Sequence, residues 1–293
     1  MKLDFQKDGY LFLTDDTSKF GNDTLFLKTA QNSRYYDKLE VKPETITVDE
    51  LISFWGLEKM KVVGVTGTNG KTTVTAAIYS FLLDLDEKPA LQGTRGLFAQ
   101  ERRIEDKSMT TPSILETLHN MKQTMDLGCN YFIMEVSSHA IDQKRIEGLT
   151  FALKVHTNVT SDHLDYHGTV EEYRRVKSLF FADESPKLLN KDDIKNITYN
   201  PIGAQSYGVD EPATFKVQAF SLLHGITAGI KHLQTEATFH SRMVGLFNLF
   251  NLMAAIGSVQ MLTGRSIEEI CEVVEYFAGV SGRMEVVSRD PLV

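Results

Sequence analysis

The residues with the clearest capacity for chemistry stand in one run, Gly64-Val-Thr-Gly-Thr-Asn-Gly-Lys-Thr-Thr73. Small residues leave backbone N–H groups free to point at phosphate oxygens. A helix opening at the lysine adds the positive end of its dipole, and the lysine adds a full charge. Gly67, Thr68, Asn69, Gly70, Lys71, Thr72 and Thr73 are therefore expected to cradle the phosphates of ATP. Lys71 would reach the terminal phosphates, and the Thr72 hydroxyl would ligate the accompanying magnesium. The common phosphate-loop pattern has glycine six positions ahead of the lysine, where this chain has Val65. The loop is thus a variant, and a turn without a ligand is the alternative.

Three further groups could share that site. Glu135 ends the apolar run Tyr131-Phe-Ile-Met-Glu-Val136, and in open parallel sheets ligands bind beyond the carboxyl ends of strands. It is placed to hold magnesium or its water; a solvated strand end is the alternative. The run Leu153-Lys-Val-His-Thr157 leads into Asn158-Val-Thr-Ser-Asp-His-Leu-Asp-Tyr-His-Gly168. Asp162, His163, Asp165 and His167 there suit a metal or phosphate site, or are loop histidines in water. Lys177, in Glu172-Tyr-Arg-Arg-Val-Lys-Ser-Leu-Phe-Phe181, has no pattern to separate it from a solvated helix lysine.

These groups need a scaffold, and the periodicity supplies one. From Lys61 onward, apolar strand-like runs alternate with helical stretches at Thr111–Leu127, Val170–Phe181, Leu246–Leu262 and Ser266–Phe277, the last opened by a Ser266-x-x-Glu269 capping box. Such alternation predicts an α/β fold, a mostly parallel, P-loop-type sheet flanked by helices. Residues 186–242 read as an antiparallel extension. Residues 1–57 carry short apolar runs between turn residues and predict a small N-terminal α/β domain, with 58–293 as the central ATP-binding domain. No apolar run approaches the roughly 20 residues that span a bilayer. The formal charge of −8 argues against a nucleic-acid partner, and two cysteines suggest a reducing, cytoplasmic setting.

The chain resembles the Mur ligases, the ATP-dependent amide-forming enzymes of bacterial peptidoglycan synthesis, and within them the branch that adds the third stem-peptide residue. The resemblance rests on Thr66–Thr73, Thr110-Thr-Pro112, Glu135-Val-Ser-Ser-His139 with Gln143 and Arg145, Asn158 with Asp162-His-Leu-Asp-Tyr-His-Gly168, Glu172-Tyr with Lys177, Gly245-x-Phe-Asn-x-x-Asn251 and Gly282-Arg-Met-Glu285. It implies ATP and two magnesium ions. Thr72 and Glu135 would hold one; Glu135, His163 and a carbamylated Lys177 would hold the other. The catalytic set would be Lys71, Glu135, His163 and Lys177, with Asn251 on adenine and Arg283 on a phosphate. Thr17, Thr110, Thr111, Ser137, Gln143 and Arg145 would meet UDP-MurNAc-L-Ala-D-Glu. That carboxylate would be phosphorylated and then attacked by the amine of diaminopimelate or lysine. A monomer, with no nucleic-acid or membrane partner, is expected.

Two departures accompany the likeness. Asp16-Thr-Ser-Lys19 stands where the family shows Asp-Ser-Arg, so Thr17 offers a hydroxyl but the arginine is missing. The family also continues into a third, Rossmann-like domain after Gly282-Arg-Met-Glu285, whereas this chain stops at Val293. The expectation is a truncated ligase that binds its substrates without full turnover. Another ligase on the same scaffold, such as a folylpolyglutamate synthase, and a non-catalytic nucleotide-binding homologue are the alternatives.

Overall fold

The computed structural model describes residues 1–280. The chain opens with β1 (Lys2–Lys7), β2 (Tyr10–Thr14), β3 (Thr24–Leu27), α1 (Ser33–Tyr36), β4 (Thr45–Ile46) and α2 (Val48–Trp55). Its four strands form one sheet in chain order, antiparallel between β1 and β2 and parallel from β2 through β3 to β4. Thr47 and Glu50 close a reciprocal capping box on α2, and Gly56 ends that helix in the left-handed region.

A second sheet then begins with β5 (Lys61–Thr66), followed by α3 (Lys71–Asp84), β6 (Pro89–Gly93), β7 (Gly96–Ala99), β8 (Arg102–Glu105), α4 (Ile114–Asp126), β9 (Tyr131–Glu135), α5 (Ser138–Asp142) and β10 (Phe151–His156). Next come α6 (Leu164–His167), α7 (Val170–Leu179), β11 (Lys187–Asn190), β12 (Ala204–Gly208), β13 (Phe215–Ser221), β14 (Ile226–His232), β15 (Thr235–Ser241), α8 (Leu246–Thr263) and α9 (Ile267–Val273). The order across this sheet is β15-β14-β13-β12-β11-β10-β5-β9-β6-β7-β8. Pairing is parallel from β13 to β6, and each edge finishes in an antiparallel ribbon. The mostly parallel, helix-flanked sheet follows the expected class. The expectation for 186–242 needs correction, because β11, β12 and β13 extend the parallel run and within that stretch only the β13–β14 and β14–β15 pairings are antiparallel. Antiparallel hairpins need short turns, and the β13–β14–β15 connections are short; the longer passage from β11 to β12 goes through a 3-10 helix, which permits a parallel return.

Both faces of the sheet are covered. Along β5, Val63 and Val65 face one apolar cluster while Val62 faces another; along β9, Tyr131 and Ile133 alternate in the same way with Phe132 and Met134. The first cluster is closed by α3, α8 and α9. The second takes in α4 and α7 together with Phe5, Leu13, Leu25, Leu27 and Ile46 of the small sheet. The small sheet therefore buries its apolar face against the large unit, as its few strands require.

At 18 residues and a mean hydropathy of 1.4, α8 is long and apolar enough to cross a membrane, yet 61% of it is buried inside this protein. That explains its apolar residues on every side. Cys129 and Cys271 are buried and unpaired.

Helix starts follow local chemistry. The helix expected from Thr111 starts at Ile114 instead: proline biases the residue before it away from helix, and Ser113 caps with its side chain on Glu116 N. The capping box at Ser266 and Glu269 forms as expected. Ser266→Ala is expected to lower stability by about 1 kcal/mol, read as a reduced urea midpoint with an unchanged slope. No change in midpoint would mean that α9 is held by its packing alone.

Candidate active site at the carboxyl ends of the parallel strands

The carboxyl ends of β6, β9, β5, β10 and β11 lie side by side, and the expected chemistry gathers along that edge. The loop after β5 explains the variant spelling. Val65 is wholly buried within the strand, so the turn begins only at Gly67. A Cβ on Gly67 would lie 1.8 Å from Thr157 Oγ1 and 3.0 Å from the backbone N and O of Asn158. Glycine is required there by close approach. Gly70 has φ +89°, and a Cβ on it would meet Asn251 Oδ1 at 2.4 Å, so conformation and space both demand glycine.

The segment after β10 holds this loop from below. Thr68 N donates to Asn158 O at 2.7 Å, Asn69 N donates to Asn158 Oδ1 at 3.0 Å, and Thr157 Oγ1 donates to Asn69 O at 2.6 Å. Lys71, at the first turn of α3, donates through Nζ to Gly67 O at 2.8 Å and Thr68 O at 3.0 Å. Its ammonium thus sits within the loop, at the positive end of the helix.

Glu135 is almost fully buried at the end of β9. The Thr94 backbone N–H donates to its Oε1 at 2.9 Å, and the Thr72 hydroxyl donates to its Oε2 at 3.0 Å. Thr94 thereby fixes the carboxylate so that one oxygen faces Thr72. Carboxylate and hydroxyl oxygens together are the donors that a hard divalent cation takes, and the Thr94 contact is the kind of outer support such sites use.

Lys177 is the most unusual group. It is only 1% exposed, yet among the described residues no carboxylate pairs with it. Its Nζ donates to Gly67 O at 2.9 Å, lies 3.4 Å from Thr66 Oγ1, and stands over the Tyr173 ring at 4.9 Å. Burial, and then the Lys71 charge, hold its pKa well below the ordinary lysine value, against a smaller opposing pull from Asp162. The Tyr173 hydroxyl makes a 3.1 Å hydrogen bond with Thr68 Oγ1, and burial pushes its pKa up to about 12. A lysine buried beside the phosphate loop, its charged form disfavoured, contradicts the solvated-helix alternative.

His163 lies at the mouth. It has φ 50°, the left-handed region, which costs a residue with a side chain on the order of 1–3 kcal/mol. Its ring packs 4.9 Å from that of His139, and its Nε2 is 3.5 Å from Asp162 Oδ2. His167 is turned inward, 2.9 Å from Ser138 Oγ. The four expected metal ligands thus fall into parts: Thr72 touches Glu135, Lys177 touches the loop, and His163 pairs with Asp162. Among the described residues no three acidic, histidine or cysteine groups converge as a metal site.

The expected substrate residues other than Thr17 form a chain of contacts leading away from Glu135. Thr111 Oγ1 donates to Glu135 O at 2.9 Å and accepts from Ser137 N at 3.0 Å. Arg145 donates to Thr111 O at 2.8 Å and, through Nε and Nη2, to Gln143 Oε1. Thr110 is 3.1 Å from Thr94, hydroxyl to hydroxyl. Thr17 is elsewhere, in a concavity of about 450 Å³ on the small sheet. Arg283 falls outside the described residues. Asn251 lines a cleft of about 710 Å³ with Asn69, Gly70, Thr73, Asp193 and Phe247, and its Nδ2 donates to Asn248 Oδ1 at 3.1 Å.

Sequence reading passed over Thr157, Thr94 and Tyr173 as site residues. Thr157 had a signal, since it follows a strand next to β5. The Thr94 contribution is a backbone N–H, which no side-chain pattern reveals.

Known proteins resemble this chain. Residues 65–259 match the Mur ligase middle domain. The chain is 48% identical, over its full length, to a UDP-N-acetylmuramoyl-L-alanyl-D-glutamate–2,6-diaminopimelate ligase of Wolinella succinogenes, of which it spans 68%. It is 44% identical to the ligase of that name from Helicobacter pylori, with 99% of this chain and 67% of the relative covered. Among solved structures, one of a ligase of that name superposes with TM-score 0.78 at 22% identity, covering 95% of this chain and 65% of that one. The apo form of L. casei FPGS superposes with TM-score 0.67 at 14% identity, covering 82% of this chain and 68% of that one; these two likenesses speak to fold alone. With the domain match and two close relatives covering the whole phosphate-loop unit, the chain belongs to the Mur ligase family.

Proposed function

We propose that this chain carries the ATP-activating part of a ligase that adds the third stem-peptide residue to UDP-MurNAc-L-Ala-D-Glu, in the bacterial cytoplasm. The observation that carries the reading is Lys177, a buried amine with no carboxylate partner among the described residues, 2.9 Å from a phosphate-loop carbonyl. A neutral amine is the form that reacts with carbon dioxide, and the resulting carbamate is an anionic oxygen ligand suited to magnesium. The names of the relatives support diaminopimelate as the incoming amine.

The residues divide the work. Lys71, the loop amides and the N-terminus of α3 neutralise the nucleotide's phosphates. Thr72 and Glu135 would hold one magnesium ion; Glu135, His163 and carbamylated Lys177 would hold the second. The metals supply charge neutralisation, without which a carboxylate and a triphosphate repel each other. Asn251 lines the cleft on the nucleoside side. Thr110, Thr111, Ser137, Gln143 and Arg145 orient the D-glutamyl end beside Glu135, so that its carboxylate meets the terminal phosphate and becomes an acyl phosphate. Thr17 and Arg283 are assigned to the uridine-diphosphate end and to a nucleotide phosphate by family likeness.

Calorimetric titration of the chain with a non-hydrolysable ATP analogue tests this. Binding is expected to require magnesium, and Glu135→Gln is expected to weaken it about ten- to a hundredfold with magnesium present and hardly at all without. Equal affinity with and without magnesium in the unaltered protein would overturn the reading.

A further inference from the structure

We propose that the cleft between the outer side of α7 and residues 195–201 is a second binding site, for a small organic anion with an apolar body. The cleft encloses about 870 Å³, with Arg174, Ser178, Leu179, Lys195, Tyr199 and Pro201 among its walls. That is the size range of small-molecule sites. It shares no lining residue with the nucleotide cleft. On α7, Tyr173 and Lys177 point into the protein, while Glu171, Arg174 and Ser178 form the opposite stripe at helical spacing.

Arg174 singles the cleft out. Its Nε is buried with no hydrogen-bond partner, and among the described residues its guanidinium makes no hydrogen bond or ion pair. A buried donor left unanswered costs free energy and calls for an explanation. The neighbouring Arg175 shows the usual outcome, forked onto Glu172 at 2.8 and 2.6 Å. Lys195, also on the wall, has no carboxylate within ion-pair distance among the described residues. Among the described residues Glu171 is the one acidic group lining the cleft, and it forms an ion pair with neither. A guanidinium and an ammonium in the lining of one cleft match a carboxylate or a phosphate monoester. Leu179, half exposed, together with Ala182 and Pro201, adds apolar lining to the cleft.

The test uses the full chain with its nucleotide cleft saturated by a magnesium–ATP analogue. Phenyl phosphate and phenylacetate serve as probes, with inorganic phosphate and benzyl alcohol as the anionic and apolar halves alone. The Arg174 Nε–H resonance is expected to move saturably with at least one intact probe, and each half alone to bind at least about tenfold more weakly. Which probe binds tighter assigns the anion class. Arg174→Ala is expected to weaken binding by about tenfold or more, Lys195→Ala to weaken it less, and Glu171→Gln to strengthen it. Unchanged affinity for the ATP analogue in each variant shows that the fold is intact. The proposal is overturned if the Arg174 resonance stays fixed up to about 10 mM of both probes, well above millimolar affinity, or if Arg174→Ala binds them as the unaltered protein does. Neither result bears on the ligase reading, which rests on the other face of α7.

Discussion

Lys177→Met is expected to make the protein more stable and, at the same time, to weaken its magnesium-dependent hold on an ATP analogue about ten- to a hundredfold. The two effects have one cause. Lys177 is held in a site that water does not reach, and among the described residues no carboxylate forms an ion pair with it. Folding must therefore strip it of its proton or bury a bare charge. Methionine has a similar length and no charge to desolvate. The Gly67 carbonyl is not orphaned by the change, because it also accepts from Lys71 at 2.8 Å.

The pH dependence follows with a definite sign. The folded-state pKa lies well below 10.5, so between the two values the unfolded chain binds a proton that the folded protein does not. Stability then rises with pH across that window, and the cost is carried in full below it. The methionine variant is expected to lose that slope, in carbon-dioxide-free buffer. With carbon-13 bicarbonate, the unaltered protein is expected to give a carbamate resonance that Lys177→Met lacks. Loss of analogue binding without any carbamate signal would leave Lys177 a structural role and sink its assignment as a metal ligand.

That lysine marks the limit of what the sequence makes legible. The phosphate loop, Glu135 at a strand end and the parallel sheet follow from local rules, because the strand, the glycine turn and the helix N-terminus are contiguous in the chain. Lys177 sits more than a hundred residues from Gly67 in sequence, and its environment exists only once α7 packs under the loop. Spacing alone leaves it a surface lysine, and the family likeness gave it a role before the structure gave it a reason. The reversed expectation for β11 and β12 has a similar origin. Their polar interruptions suggest an antiparallel ribbon, but Lys187 is wholly buried with its ammonium answered by the carbonyls of Asp183 and Ile202. A polar residue in a strand signals a solvated face only when no such carbonyl is at hand.

Gly67→Ala is expected to reduce affinity for the ATP analogue by about a hundredfold, the scale of an ångström's misplacement at a reacting centre, and to cost about 1–3 kcal/mol of stability through overpacking. The added methyl would fall 1.8 Å from Thr157 Oγ1. Thr157 cannot swing aside freely, because its hydroxyl is bonded to Asn69 O at 2.6 Å and so helps to shape the loop it would have to vacate. Beneath it, the Asn158 backbone N and O stand 3.0 Å from the methyl and have no rotamer to change. The loop must lift off β10, which carries its amides away from the phosphates. Adding Thr157→Ala removes the nearest clash but not the backbone contact. The double variant is therefore expected to regain part of the stability, with a coupling of about 0.5–3 kcal/mol, while its affinity stays low because Asn69 O has lost the shorter of its two donors and keeps only Asn158 Nδ2 at 3.2 Å. Urea unfolding and calorimetry on the two single variants and the double separate these terms. Analogue binding by Gly67→Ala at the affinity of the unaltered protein would show that the loop has slack to accept a side chain, and that close approach is not why this variant phosphate loop keeps its first glycine at position 67.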